Sequence, residues 1–163
     1  MYLKTENLFG VKMKIVVVSD THRDSSFIDK ILKLHPDASY YLHAGDSELH
    51  EREIYPFQTV KGNCDYYVKN KYLSLNVLGV KIFIFHGEHL LLSDDILLGI
   101  ANNNQCDIII HGHTHIPYYV KKDNVHIICP GSLTYPRNKN ATYALISLSS
   151  KDDISVEIKN YEC

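Results

Sequence analysis

Three histidines follow one strand-like segment of the sequence. Residues 107–110 have the apolar, β-branched character of a buried strand, and His111, His113 and His115 come directly after it. Neutral imidazole is the commonest side-chain ligand of transition metals, and histidines at i and i+2 on a loop can turn toward one ion or two adjacent ions. Gly112 lets the backbone bend beside a crowded site. A polar loop that is merely rich in histidine is the alternative for this segment taken alone.

Ligand-type residues also follow four other predicted strands. These strands cover residues 14–19, 39–43, 57–60 and 80–85, and the residues after them are Asp20 and His22, Asp46, Asn63, and His86. In open α/β sheets the carboxyl ends of the strands line the crevice where ligands bind. Because five strand ends carry such residues, a shared ligand site is favoured over a histidine-rich loop that reflects composition alone.

The combined set contains three oxygen-type and four imidazole ligands, which is more than one structural zinc ion takes. Two divalent ions that share a bridging carboxylate fit the set better. Mixed nitrogen and oxygen ligation without thiolate favours manganese, with Zn, Ni, Fe, Co or Mg as alternatives. Two ions roughly 3.5–4 Å apart activate a water and clamp an in-line displacement at phosphorus. The pattern therefore predicts metal-dependent hydrolysis of a phosphoester.

The composition excludes several other classes of protein. The chain has 163 residues, 45% of them hydrophobic, and a formal net charge of −2. No apolar run is long enough for a membrane span, and no block of like charges indicates stable nucleic-acid binding. The four cysteines form no CxxC pair, which favours reduced thiols and a cytoplasmic location. We expect a small phosphodiester as the substrate and leave open a homo-oligomer, dimer or tetramer.

The order of predicted elements favours an α/β fold of one domain. Residues 1–12 precede a second methionine and are interpreted as an N-terminal extension, either an expression-vector remnant or an upstream start; residues 13–163 are the predicted domain. Helices are expected from about Phe27 to His35 and over 94–103. Further strands are expected at about 71–77, 117–121, 124–128, 141–148 and 153–159. A β-α-β start and a mostly β end favour a core of two sheets with helices outside.

Five short motifs carry a family resemblance. Asp20-x-His22, Gly45-Asp46, Gly62-Asn63, His86 and Gly112-His113-x-His115, in this order, resemble the calcineurin-like metallophosphoesterase superfamily, and most closely its small single-domain prokaryotic phosphodiesterase branch. The resemblance covers about residues 13–160. It implies a four-layer α/β/β/α sandwich of two mixed sheets flanked by helices, with a dinuclear metal site at one edge of the sheets.

The resemblance also implies a role for each residue of the set. Asp20, His22 and His115 would hold the first ion, and Asn63, His86 and His113 the second. Asp46 would bridge the ions, and a hydroxide between them would be the nucleophile. Asp46, Asn63 and His113 are taken as the catalytic members. A non-catalytic protein-binding scaffold and a phosphomonoesterase are the alternatives, although all seven ligand-type residues are intact.

The sequence departs from the wider superfamily after the motif asparagine. Much of the superfamily has a histidine there, held to protonate the leaving group, whereas this chain has Cys64 followed by Asp65. The small prokaryotic branch commonly has cysteine at this position. Whether Cys64, His89, Arg23 or Arg137 takes part in catalysis is left open, as is stacking of a substrate ring on Tyr66-Tyr67.

We predict that aryl phosphodiesters are hydrolysed faster than alkyl monoesters. A cysteine thiol, with a reference pKa of about 8.5, is a poorer acid toward an alkoxide leaving group than an imidazolium. Diesters with good leaving groups need that acid least. A kinetic panel of both ester classes checks this expectation, and faster hydrolysis of the monoesters would contradict it.

Overall fold

The fold consists of two five-stranded sheets stacked face to face. The computed structural model describes residues 11–162. In chain order the elements are β1 (Met13–Val18), α1 (Phe27–Leu34), β2 (Tyr40–His43), a 3₁₀ helix (Glu51–Ile54), β3 (Gln58–Thr59), β4 (Tyr72–Val77), β5 (Val80–Phe85), α2 (Asp94–Asn103), β6 (Ile108–Ile110), β7 (Tyr118–Lys122), β8 (Val125–Cys129), β9 (Thr142–Ser150) and β10 (Asp153–Asn160).

Both sheets are mixed: antiparallel strands lie at one edge of the first sheet and at both edges of the second. The strand order is β10-β9-β1-β2-β3 in the first sheet and β4-β5-β6-β8-β7 in the second. β1, β2 and β3 are parallel to one another, as are β5, β6 and β8. Each ligand-type residue follows one of these parallel strands, and such strands present their carboxyl ends at a common edge. The topology therefore collects segments that are far apart in the sequence.

The core between the two sheets is almost entirely aliphatic. Ile15 and Val17 of β1 face Ile82 and Ile84 of β5 within one buried cluster. Alternate residues of β1, Val16 and Val18, are buried too, but on the opposite face of the strand. Burial on both faces explains why the sequence of β1 is continuously apolar rather than alternating.

One helix covers the outer face of each sheet. Phe27 and Ile31 of α1 pack against the first sheet, and Leu97 and Ala101 of α2 pack against the second. The layers are therefore α/β/β/α, with two mixed sheets, and this confirms the predicted fold class. Among residues 11–162, no helix is both long and apolar enough to cross a bilayer.

The sequence-based element boundaries differ from the structure in small ways. β3 has two residues, Gln58–Thr59, rather than the four expected. The 3₁₀ helix was not anticipated, because four residues are too few to show a helical period. Residues 1–10 of the predicted extension lie outside the described residues, so its division from the domain stays a prediction.

We predict that Leu97→Ala lowers the free energy of unfolding by about 2–5 kcal/mol, because it leaves a cavity beneath α2. Leu97 is fully buried, whereas Leu91 is 76% exposed and provides the matched control. Leu91→Ala is expected to change the stability by less than about 0.5 kcal/mol. Urea titrations of the two variants give the comparison, and equal losses would contradict the assignment of Leu97 to the core.

Candidate metal centre

The structure brings the seven ligand-type residues together in two adjoining groups. In the first group, His115 Nε2 lies 3.1 Å from Asp20 Oδ1, and His22 Nε2 lies 3.4 Å from His115 Nε2. These three residues come from the ends of β1 and β6, in different sheets. Their ligand atoms are close enough together for one ion to contact all three.

The second group forms around Asn63 and His86. Asn63 Oδ1 lies 3.0 Å from His86 Nε2 and 3.1 Å from His113 Nδ1. Asp46 Oδ2 is 3.1 Å from the same His86 nitrogen. These residues follow β2, β3, β5 and β6, so this group also draws on both sheets.

Asp46 and Asp20 join the two groups. The Asp46 carboxylate shares one cluster with His22 and another with Asp20 and His86, and the ligand atoms within each cluster lie within 4.8 Å of one another. Asp20 Oδ1 is also 3.9 Å from His86 Nε2. A carboxylate at the junction is the arrangement that a bridged pair of ions requires.

Hydrogen bonds at the far side of two imidazole rings determine which nitrogen faces the centre. His115 Nδ1 donates to the carbonyl oxygen of Tyr135 at 2.7 Å, and His86 Nδ1 donates to that of Ala44 at 2.8 Å. A carbonyl can only accept, so in the neutral ring the lone pair lies on Nε2. Both lone pairs therefore point at oxygen atoms that are acceptors themselves.

Asp20 has a buried oxygen without a hydrogen bond. Its Oδ2 accepts from Ser19 Oγ at 2.6 Å and from the His113 backbone N–H at 3.1 Å. Its Oδ1 is buried and accepts none from any described residue. An anionic oxygen without a partner is costly to bury. A cation between Asp20, His22 and His115 would satisfy it, so the residues fit a metal ion.

The electrostatics of the second group point the same way. Burial alone would raise the pKa of Asp46, but the contact with His86 holds that pKa at about 2. Burial would lower the pKa of His86, but Asp46 and Asp20 raise it to about 9. Without a cation, a proton on His86 Nε2 takes its place. Metal binding at these residues therefore competes with protons.

The loops that carry these residues are bent unusually sharply. Five of the seven have φ in the left-handed region: Asp20 (53°), His22 (42°), Asp46 (60°), His113 (71°) and His115 (59°). Such conformations cost about 1–3 kcal/mol each in residues with a side chain, and they concentrate at functional sites. Gly112 is also required, because a Cβ there would lie 2.2 Å from Ser19 Oγ.

Sequence reasoning missed the side chains that support the set. The Asp65 carboxylate accepts from the backbone N–H groups of Asp46 (2.8 Å), Gly62 (2.8 Å) and Glu48 (2.7 Å), and so joins the loops after β2 and β3. Glu48 Oε2 lies 3.0 Å from His22 Nδ1. Asp65 follows Asn63 by two residues and could have been found by that position. The sequence around Glu48 contains no motif that would have indicated its contact with His22.

The loop after β8 also supports the set. Ser132 Oγ donates to the Asp20 carbonyl oxygen at 2.8 Å, and Thr134 Oγ1 donates to that of Thr21 at 3.1 Å. Together with the Tyr135 carbonyl that holds His115, these contacts make the loop a third support. β8 is parallel to β6, so its carboxyl end meets the same edge.

Of the residues left open earlier, some lie near the centre and others do not contact it. Arg23 has a side chain that is 78% exposed and pairs with Glu48. Arg137 contacts the site through its backbone N–H, which donates to the His115 carbonyl. Tyr66 is 84% exposed, and His89 is exposed as well. The Cys64 thiol lies within the cluster of His22 and Asp46, and burial together with Asp46 raises its pKa to about 11.

The comparisons with known proteins agree with this geometry. Residues 13–151 match the model of the calcineurin-like phosphoesterase superfamily domain. A probable metallophosphoesterase of Mycoplasma pneumoniae is 34% identical over 146 residues, which are 83% of this chain and 90% of the relative. The phosphodiesterase YfcE of Escherichia coli K12 is 29% identical over 92 residues, about half of each chain. The chain belongs to the calcineurin-like phosphoesterase superfamily.

Solved structures share the fold at lower identity. A predicted phosphoesterase of Streptococcus pneumoniae has a TM-score of 0.78 and 23% identity, covering 91% of this chain and 99% of its own. Vps29 of Entamoeba histolytica, in a zinc complex, has a TM-score of 0.71 and 19% identity, covering 92% and 100%. At this level of sequence identity, the similarity to these structures establishes the fold alone.

We predict a pH-dependent contribution of His43 to stability. His43 is fully buried; its Nδ1 accepts from the Gly45 N–H, and its Nε2 donates to Thr21 Oγ1. Burial lowers its pKa from 6.5 to about 4, so the folded protein holds the neutral ring. The unfolded chain takes up the proton first as the pH falls. The contribution of the neutral His43 ring to the free energy of unfolding is therefore complete above pH 6.5. It decreases by about 3 kcal/mol as the pH falls toward 4.

The His43→Asn variant isolates this effect, because asparagine keeps an acceptor for Gly45 and does not titrate. We expect the variant to be less stable at pH 7, and the gap to the wild type to narrow toward pH 4. Urea titrations across this range measure the gap. A gap that stays constant with pH would show that His43 is not held neutral by the fold.

Proposed function

We propose that the protein is a phosphodiesterase that uses two divalent metal ions. The observation that carries the proposal is the buried Asp20 Oδ1, which has no hydrogen-bond partner among the described residues. Beside it lie the Nε2 atoms of His86 and His115, whose Nδ1 atoms donate to backbone carbonyls. A bound cation would offset the cost of burying the unpaired carboxylate oxygen. Membership of the superfamily and the similarity to a protein named phosphodiesterase support the same function.

The proposed ligands follow the two observed groups. Asp20, His22 and His115 would hold one ion. Asn63, His86 and His113 would hold the other, and Asp46 would be shared between the two. Manganese is the proposed ion, with Zn, Ni, Fe, Co or Mg as alternatives. When bound, the two ions would activate a water for attack on phosphorus and would neutralise charge on the phosphate.

The surrounding residues orient these ligands. The carbonyl groups of Tyr135 and Ala44 hold the His115 and His86 rings with Nε2 inward, and Glu48 is placed to do the same for His22. Partners of this kind usually change metal affinity or activity by 10–100-fold when they are removed. The Cys64 thiol, with its pKa raised to about 11, is a weak proton donor. This supports diesters with good leaving groups as the substrate class.

The alternatives are less well supported. A non-catalytic scaffold that binds no ion would keep an unpaired buried carboxylate oxygen, which destabilises the fold. A monoesterase is disfavoured by the thiol at the position of the expected acid. The three free thiols of the described residues are compatible with the proposed cytoplasmic location. A homo-oligomer of two or four chains remains part of the proposal.

The test is metal-dependent hydrolysis of bis-(p-nitrophenyl) phosphate. We expect Mn²⁺ to activate the chelator-treated protein and chelator to abolish the activity again. His86→Ala is expected to lower kcat/KM by about 100-fold or more and to reduce the bound metal measured by mass spectrometry. His50→Gln is the histidine control, since its ring stacks on Tyr67 and belongs to neither group.

Two results would overturn the proposal. One is a protein that binds no divalent ion after reconstitution. The other is hydrolysis that is unchanged by both chelator and His86→Ala. Equal losses of kcat/KM in His86→Ala and His50→Gln would show that the lower activity comes from general destabilisation and not from a missing metal ligand.

A further inference from the structure

The Cys64 thiol lies at the mouth of the candidate centre. Its Sγ, a carboxylate oxygen of Asp46 and a ring nitrogen of His22 all lie within 4.8 Å of one another. Asn63 Nδ2 donates to this sulfur at 3.4 Å, which leaves Asn63 Oδ1 turned toward His86 and His113. Cys64 is exposed. The residue is therefore accessible from solvent, and its sulfur lies beside His22 of the first group and Asn63 of the second.

Other residues independently demand a cation at the same place. Asp20 Oδ1 is completely buried and, among residues 11–162, has no hydrogen-bond partner, although His115 Nε2 lies 3.1 Å from it. It lies 4.0 Å from His22 Nε2, and His22 also belongs to the cluster with Cys64. The thiol is thus next to an ion position that is defined without it.

Thiolate distinguishes metal ions by their softness. Cysteine sulfur favours Zn²⁺ and other soft ions, whereas Mn²⁺ and Mg²⁺ favour oxygen ligands and water. The seven proposed ligands carry no sulfur, and a site of nitrogen and oxygen ligands already binds Zn²⁺ more tightly than Mn²⁺. A single thiolate at the mouth would widen that difference.

We propose that Cys64 is an additional, ion-selective ligand: Zn²⁺ and Cd²⁺ recruit its thiolate together with Asp46 and His22, and Mn²⁺ does not. The inference rests on the proposed metal centre. As the S–metal bond forms, the thiol S–H bond breaks and its proton goes to solvent. The sulfur then occupies a coordination position that a catalytic ion keeps open for water. The zinc-loaded and cadmium-loaded protein is consequently less active than the manganese-loaded protein.

The experiment is a spectroscopic titration of the full-length, chelator-treated protein with Co²⁺ and Cd²⁺. Thiolate ligation gives a sulfur-to-metal charge-transfer absorption, which oxygen and nitrogen ligands do not. We expect this absorption in the wild type and its loss in Cys64→Ala. Cys106→Ala is the matched control, because Cys106 packs in the core beside α2, and it is expected to retain the absorption.

A competition measurement gives the selectivity. We expect Cys64→Ala to weaken Zn²⁺ binding by about tenfold or more, and to change Mn²⁺ binding much less. Inhibition of the Mn²⁺-loaded protein by added Zn²⁺ is expected to weaken in parallel. Equal changes for both ions would indicate a positioning role for the thiol instead of ligation and would overturn the inference.

The outcomes separate this inference from the proposed function. Ion binding without a thiolate absorption overturns the role of Cys64 and leaves the metal centre standing. Absence of binding of any ion overturns both. A charge-transfer absorption that survives in Cys64→Ala would assign it to another thiol and would also overturn the inference.

Discussion

The close approach of carboxylate, amide and imidazole atoms is the constraint on which the rest of the site depends. Asp20 Oδ1, Asp46 Oδ2, Asn63 Oδ1 and the inward nitrogens of four histidines lie within about one hydrogen-bond length of a neighbouring ligand atom. The neutral rings of His86 and His115 donate to carbonyl groups behind them, so a second ring proton or a cation is needed between the inward atoms. The raised pKa of His86 shows that its ring takes up such a proton. A divalent cation competes with that proton for the same position.

The surrounding fold has to hold this arrangement in place. Five of the seven residues have left-handed backbones, and these persist only where neighbouring structure over-determines them. Asp65 supplies one such restraint, by accepting three backbone N–H groups from two loops. Ser132 supplies another, by bonding the Asp20 carbonyl. Beneath the loops, β1 and β6 are buried on both faces, so the bases of the loops cannot shift easily.

The ligand geometry and the mouth of the site are under different physical control. Asp20, Asp46, His86 and His115 are buried, and the rings of His86 and His115 are oriented by bonds to backbone carbonyls. The residues at the mouth, Cys64, Arg23 and Tyr135, are more exposed and have fewer restraints. Changes there can alter which ion or ester is accepted without disturbing the packing that supports the ligands. Cys64 illustrates this, since its backbone N–H donates to Asp46 Oδ1, a bond that does not depend on the identity of the side chain.

Much of the fold was readable from the sequence. Runs such as residues 14–18 are β-branched and continuously apolar because both faces of the strand are covered, and this requirement is local enough to show as a pattern. The sequence also determined which residue types follow each strand, and so named the seven that the structure brings together. The sequence did not predict the 3₁₀ helix or the short length of β3, because such brief elements have too few residues to show a period.

Only the tertiary structure decided how those residues face one another. The partners of His115 and His86 are carbonyls 20 and 42 positions away, and the contact between Ser132 and Asp20 spans 112. No local pattern encodes such pairs, because they depend on the register within each sheet and on the stacking of one sheet upon the other. The inward nitrogens, the unpaired oxygen of Asp20 and the nearness of Cys64 to His22 all follow from that packing.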